Sequence, residues 1–259
     1  MLSQNVKNSC VNNHVDFTIV DLKCITFNCH SFKQSSEYVI DNIVKNDVVC
    51  LTETWRRPHE TDVIRSVLGK HPSTCKNRFT VFSKSGMVNC EPDYAGRPFG
   101  GVAIVVKHNP CYSAREIDIP TERATAIGLY DRPGNLVQVL VCVYLPFLDK
   151  SNRNCTLTYV DVIDKLQSVI DMYASTSALT IMGDFNAQLP TAPKLNKNWH
   201  KINGFTKHSN ILYDFITSND MCAADLIFPQ TVEYTFSAML LRISLGLIMY
   251  SVFKKICVS

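Results

Sequence analysis

Apolar runs of strand length recur along this chain, and several stop on a side chain able to hold a proton, a metal or a phosphate. Residues 47–52, 101–106, 136–144 and 178–182 are short and rich in Val, Ile, Leu and Ala. That composition suits strands buried on both faces. Residues 17–27 are rich in β-branched and aromatic types and read as a strand or a pair of short strands. Helical spacing appears between the runs. Ser35 or Ser36 can cap a helix with Glu37 in its first turn, and Val39, Ile40, Ile43 and Val44 give it one apolar face. Leu157, Val160, Ile163, Leu166, Ile170 and Tyr173 mark a second, longer helix, and residues 210–218 a shorter third. Residues 124–130 and 136–144 flank Asp131-Arg132-Pro133-Gly134-Asn135 and read as a hairpin, and residues 232–237 form a last strand. Strands joined by hairpins and interrupted by helices predict α/β layers on largely antiparallel sheets.

Composition narrows the class. At 259 residues, 46% hydrophobic and 19% charged, the chain is neither disordered nor collagenous, and one large domain accounts for its length. A net charge of +3 neither marks nor excludes a nucleic-acid binder. The 11 cysteines include no Cys-x-x-Cys pair, and Cys50 and Cys142 sit inside apolar runs. They read as reduced, buried small hydrophobes in a cell interior. Cys24, Cys29 and His30 are the nearest approach to a metal cluster but lack a second half at zinc-ligand spacing. Residues 1–16 are polar, with no apolar leader core.

The polar residues at strand ends carry the chemistry, because strand ends project side chains into a common rim. Asn28 ends the first strand, Glu53 the second, Tyr144 a third and Asp184 with Asn186 a fourth. Singly, each has an ordinary explanation. Asn28 can cap a turn, Glu53 can pair with Arg56 or Arg57, Tyr144 can be half-buried core, and Asp184 can be a turn residue after Gly183.

Taken in order, they resemble the endonuclease/exonuclease/phosphatase superfamily, and within it the non-LTR retrotransposon endonucleases. The matching elements are Asn28, Glu53-Thr54-Trp55, Gly100-Gly101-Val102, Tyr144-Leu145-Pro146, Gly183-Asp184-Phe185-Asn186 and Tyr234-Thr235-Phe236. The resemblance implies a layered α/β/β/α sandwich of two mainly antiparallel sheets, over residues 17–237, between a polar segment 1–16 and an apolar tail 238–259. It implies hydrolysis of a phosphodiester, with Mg²⁺, or Mn²⁺ in its place, as a Lewis acid. Glu53 would be the metal ligand, with Asn28 assisting at the metal or phosphate. Asp184 would orient or deprotonate water, Asn186 would donate to the scissile phosphate, and Tyr144 would face the phosphate or leaving oxygen. Thr235 would support Asp184 or the substrate backbone.

Between Asp184 and Asp214 the chain has no acidic residue, yet it carries Lys194, Lys197, His200, Lys201, Lys207 and His208 interleaved with Trp199 and Phe205. Such a segment is either a solvated basic loop or a surface for a phosphate backbone and an unstacked base. Beside a nuclease-like site it favours DNA as partner, and hence the nucleus within the cell.

The resemblance also calls for a closing Asp-His pair. No aspartate in this chain is followed by histidine; the last histidine is His208 and the last aspartate Asp225. The expectation is a C-terminally truncated domain of weak or no activity, since a general acid–base group contributes on the order of 10²–10⁴-fold. Residues 238–259 are a non-family tail: sequence from a degraded or misassembled element, a substitute strand, or an apolar anchor. The run 243–253 is shorter than the roughly 20 residues of a membrane span, so no stable membrane association is expected. The expected function is a DNA-nicking endonuclease. A catalytically dead nucleic-acid-binding remnant and a small-molecule or lipid phosphoesterase are the alternatives.

Overall fold

The computed structural model describes residues 22–60, 62–75, 78–88, 90, 94–149, 151–152, 154–187, 189, 206–223, 238–239 and 248–251. One sheet holds β1 (Lys23–Asn28), β2 (Val48–Thr52), β3 (Phe79–Lys84), β4 (Val102–Lys107) and β10 (Ala238–Met239), in the order β10-β1-β2-β4-β3. The other holds β5 (Tyr112–Ile117), β6 (Ala124–Asp131), β7 (Leu136–Tyr144), β8 (Ala178–Asp184), β9 (Cys222–Ala223) and β11 (Ile248–Ser251), in the order β5-β6-β7-β8-β11-β9. Four helices accompany them among the described residues: α1 (Phe32–Lys45), α2 (Val63–Lys70), α3 (Cys155–Tyr173) and α4 (Lys207–Ser218).

Pairing follows connection. β6 and β7, joined by the expected hairpin, are antiparallel, as are β2 with β4 and β3 with β4. Where a helix carries the chain across, the strands run parallel: β1 with β2 through α1, and β7 with β8 through α3. The predicted sandwich is therefore present, with parallel pairs at its centre.

Three apolar clusters give the layers. Val48, Cys50, Val102, Ile104 and Val106 meet Leu129, Leu140, Cys142 and Met182 between the sheets. Their strand neighbours Val49, Leu51, Ala103 and Val105 face outward under α1 and α2, against Phe32, Ile40, Ile43 and Ile64. Val139, Val141 and Val143 face the other way, toward α3 and α4, against Tyr159, Leu166, Leu212 and Ile216. Both faces of the central strands are covered, which is why they are apolar without alternation. All nine described cysteines are free, and Cys24, Cys29, Cys50, Cys142 and Cys155 are buried.

The helices depart from the sequence-based boundaries in instructive ways. α1 starts before Ser35, with Ser31 as its N-cap residue. Ser35 Oγ donates back to the carbonyls of Cys29 and Ser31 at 2.9 and 3.0 Å, so it belongs to the helix rather than capping it. Tertiary bonds fix the first turn: Ser31 N and Phe32 N donate to the carbonyls of Glu53 and Thr54 at 2.9 and 3.1 Å. α4 likewise starts early, because Thr206 Oγ1 accepts from Ser209 N at 3.1 Å. In α3 the buried stripe is Tyr159, Val162, Ile163, Leu166, Val169 and Ile170, whereas Leu157 and Val160 are 69% and 37% exposed. An aromatic with a bonded hydroxyl, Tyr159, occupies the inner position that an aliphatic reading gave to its neighbours. Sequence analysis did not anticipate α2, β3 or β5. Residues 17–21 and 232–237 of the expected strands lie outside the described residues.

The tail contributes backbone to both sheets. β10 pairs antiparallel with β1, and β11 lies parallel between β8 and β9. Among the described residues no helix is long and apolar enough to cross a membrane.

Leu140, fully buried between the sheets, and Leu157, on the open face of α3, test this arrangement. Leu140→Ala is expected to cost about 2–5 kcal/mol in urea denaturation. Leu157→Ala should stay within about 0.5 kcal/mol of the parent. Equal losses at the two positions would contradict the register given for α3.

Candidate active site

Parallel pairing brings the strand ends together. Asn28 is the register partner of Thr52, and Tyr144 that of Asp184, so two tips from each sheet finish at the same end of the sandwich. There the Asn28 Nδ2 donates to Glu53 Oε1 at 2.7 Å and to Asp184 Oδ2 at 3.0 Å. Asn28 and Asp184 are buried, and the Glu53 side chain is 13% exposed. Glu53 does not pair with Arg56 or Arg57. Arg56 is buried with its guanidinium over the Phe32 ring, and Arg57 donates to the carbonyls of Tyr94 and Gly96.

Backbone in the left-handed region makes this convergence possible. Of the described non-glycine residues, His30, Ser31, Glu53, Trp55 and Asn186 have φ of 43°, 89°, 54°, 50° and 47°, and all five belong to the strand exits at the site. Each such residue costs on the order of 1–3 kcal/mol and persists only where its surroundings over-determine it. The staples are visible. Cys29 N donates to Thr52 O at 2.9 Å, Trp55 N to Gly100 O at 2.9 Å and Thr54 N to Gly101 O at 3.3 Å. Gly183 completes the set with φ of 143°; a Cβ there would stand 1.9 Å from Val143 O, so no other residue fits between β7 and β8.

The Asp184 turn is held from three sides. Asn186 N donates to Asp184 Oδ1 at 3.0 Å, Leu145 N to Asp184 O at 2.9 Å, and Asn186 Nδ2 to Leu145 O at 2.7 Å. Asn186 thus spends one amide hydrogen on the backbone and keeps one. Burial pushes the Asp184 carboxyl above its ordinary range; the nearby Glu53 charge adds to this, while the bonds from Asn186 and Asn28 oppose it. The Tyr144 phenol is also pushed up, by burial first and then by Glu53 and Asp184, against the Arg123 guanidinium that lies 6.0 Å over its ring. It therefore keeps its proton at neutral pH and remains a donor.

Three features of the site were not anticipated. His30 stands beside Glu53, Nδ1 to Oε2 3.3 Å, with its side chain 52% exposed and its ring edge on Trp55. Arg97 lies 3.9 Å over the Trp55 ring. A cavity of about 220 Å³ opens beside Tyr144, lined by Phe99, Gly100, Gly101, Arg123 and Phe147 among others. Its Phe99 and Phe147 rings are exposed. His30 was legible as a residue two places past a strand end. Phe147 follows the Tyr144-Leu145-Pro146 strand end directly, whereas Arg97, Arg123 and Phe99 carried no such signal, because only the fold brings them near Trp55 and Tyr144.

Lys194, Lys197, Trp199, His200, Lys201, Phe205 and Thr235 lie outside the described residues. His208, expected on a basic surface, is instead fully buried and stacked on Tyr159 with ring centroids 4.0 Å apart. α4 starts early enough to turn it inward. Cys24 packs between the sheets and Cys29 under α1, so the two thiols face opposite layers.

Among the described residues no three His, Cys, Asp or Glu side chains gather as a metal cage. Glu53 and Asp184 instead offer two carboxylates, with the Asn28 amide hydrogens between them. Two carboxylates fit a small hard cation such as Mg²⁺, which binds through one or two of them and keeps its waters.

A family model described as the endonuclease/exonuclease/phosphatase family matches residues 25–228. The chain belongs to that family. Its class is therefore hydrolysis of phosphoester bonds, the chemistry shared by endonucleases, exonucleases and phosphatases. Among curated proteins nothing matches. Solved structures of the endonuclease/exonuclease/phosphatase type do. One is a variant of the 3′ phosphatase NExo from Neisseria bound to a product DNA hairpin, 15% identical with a TM-score of 0.48. Another is the endonuclease domain of TRAS1, a telomere-specific non-LTR retrotransposon, 12% identical with a TM-score of 0.44. A third is an AP endonuclease from Archaeoglobus fulgidus, 16% identical with a TM-score of 0.44. Each comparison covers 76% of this chain and 70% of the other.

The raised Asp184 carboxyl makes a pH prediction. Over the range between its unfolded and folded pKa, the folded chain binds more protons than the unfolded one, so stability falls as pH rises through that range. In chelator-containing buffer the Tm of the parent should fall relative to that of Asp184→Asn as pH is raised from about 4 toward neutrality. A Tm difference that stays constant with pH would contradict the burial given for this carboxylate.

Proposed function

We propose that this chain is a Mg²⁺-dependent DNA endonuclease that nicks one strand by in-line hydrolysis, in the manner of a retrotransposon endonuclease. The observation that carries the proposal is the single Asn28 amide bridging Glu53 and Asp184, two carboxylates from different sheets. Such a pair at the rim of a family fold would hold a cation that neutralises charge at a phosphate. Glu53 would hold the ion with Asn28 beside it. The ion supplies Lewis acidity at a non-bridging oxygen.

The remaining roles fall to the chain's own groups. Asp184, its carboxyl raised above the ordinary range by burial, accepts a proton from the attacking water at a carboxylate oxygen. Tyr144 donates its phenol hydrogen to the phosphate or the leaving oxygen, and Asn186 its free amide hydrogen. Arg123 and the exposed Phe99 and Phe147 rings in the cavity beside Tyr144 suit a phosphate and an unstacked base. In the sequence, Lys194, Lys197, Trp199 and Lys201 add cations and an aromatic of the same use, with Thr235 as a backbone contact.

The absence of an Asp-His dipeptide supports a slow enzyme, and a second reading in which the chain binds nucleic acid without cutting it. Supercoiled-plasmid nicking separates the two. With Mg²⁺ we expect slow conversion to open circles, no conversion with chelator, and a loss on the order of 10²–10⁴-fold in Glu53→Gln and Asp184→Ala. Salt-sensitive DNA binding without nicking selects the remnant, and hydrolysis of inositol phosphates but not plasmid selects a phosphoesterase. Variants that nick as fast as the parent would overturn the assignment of the site.

A further inference from the structure

Tyr159 lies on α3, outside the strand rim, yet it is fully buried and its hydroxyl donates to the carbonyl of Phe185 at 3.0 Å. Phe185 is the residue between Asp184 and Asn186. Its neighbours are conformationally demanding: Gly183 at φ of 143° and Asn186 at φ of 47°. The turn's other bonds, those of the Asn186 N–H, the Asn186 amide and the Leu145 N–H, all engage Asp184 or Leu145. Tyr159 is the described side chain that anchors the middle of the turn from the helical layer. Its ring stacks on His208 of α4 at 4.0 Å, with the planes 25° apart. A fully buried ring, stacked on His208 and bonded at its hydroxyl, has little freedom to follow a shifting carbonyl.

We propose that Tyr159 is a positioning residue for the Asp184-Phe185-Asn186 turn: its hydroxyl fixes the Phe185 carbonyl and so sets where the Asp184 carboxylate meets Glu53. The inference deepens the endonuclease reading and rests on it for the catalytic part alone. Loss of the hydroxyl leaves the ring, its packing and the His208 stack in place, and frees the turn to rotate about its two strained ends. Displacement of a reacting group by about an ångström can cost up to 10²-fold.

The test is Tyr159→Phe in the full chain, with two readouts. In plasmid nicking, kcat should fall on the order of tenfold with KM and Tm close to those of the parent. In amide hydrogen exchange, Asn186 and Leu145 should exchange faster while Leu140, in the middle of β7, keeps its protection. If Asn186 and Leu145 exchange as in the parent, or if a nicking parent and its Tyr159→Phe variant share one kcat, the proposal is overturned. A parent that does not nick would sink the endonuclease reading and leave the exchange measurement to decide the role of Tyr159.

Discussion

Two carboxylates from two different sheets share the hydrogens of one amide nitrogen. Asn28 Nδ2 cannot satisfy Glu53 and Asp184 at 2.7 and 3.0 Å unless β1, β2 and β8 end within one side chain's reach of each other. Much else in the molecule follows from that requirement. The helical crossovers make β1–β2 and β7–β8 parallel, so their polar ends fall on the same side. Apolar packing on both faces then keeps the strands from shearing. Lost solvation in this buried place raises the Asp184 carboxyl, and repulsion from the Glu53 charge adds to it. Function and stability pull in opposite directions at this residue.

The strain is concentrated at the proposed site. Backbone in the left-handed region appears at His30, Ser31, Glu53, Trp55 and Asn186, and elsewhere among the described non-glycine residues only at Asp220. A strand that simply continued would point its next side chain to one face of the sheet. Left-handed residues at the exits bend the chain back so that Glu53 turns toward Asn28, and hydrogen bonds to Gly100, Gly101 and Thr52 hold the bend. The glycines that looked like family markers therefore have a mechanical role. At Gly101 a Cβ would meet Thr54 Oγ1 at 2.4 Å.

What the sequence made legible was periodic or terminal. Doubly buried strands announce themselves as apolar runs, and the residues that end them, Asn28, Glu53, Tyr144 and Asp184, could be found without coordinates. Helix starts were less legible, because Ser31 and Phe32 are placed by the carbonyls of Glu53 and Thr54, distant in sequence, and not by a local cap. The phase of α3 was misjudged because Tyr159 looks amphipathic in sequence and becomes core only when Phe185 O receives its hydroxyl. His208 was read as a surface cation for the same reason: its neighbours in sequence are lysines, whereas its neighbour in space is an aromatic ring. Arg123 and Phe99 were invisible, since nothing in their local sequence records proximity to Tyr144.

The site straddles the seam between the sheets, with Asn28 and Glu53 on one lip and Tyr144 and Asp184 on the other. The gap between them is therefore set by the thickness of the filling: Cys50, Ile104, Leu140, Cys142 and Met182 act as the spacer of a caliper whose jaws are the groups proposed to react. A methyl added or removed deep in that filling would misalign the jaws before it melted the fold. In this architecture, then, the residues most remote from solvent would be a hidden gauge of the proposed reaction's rate.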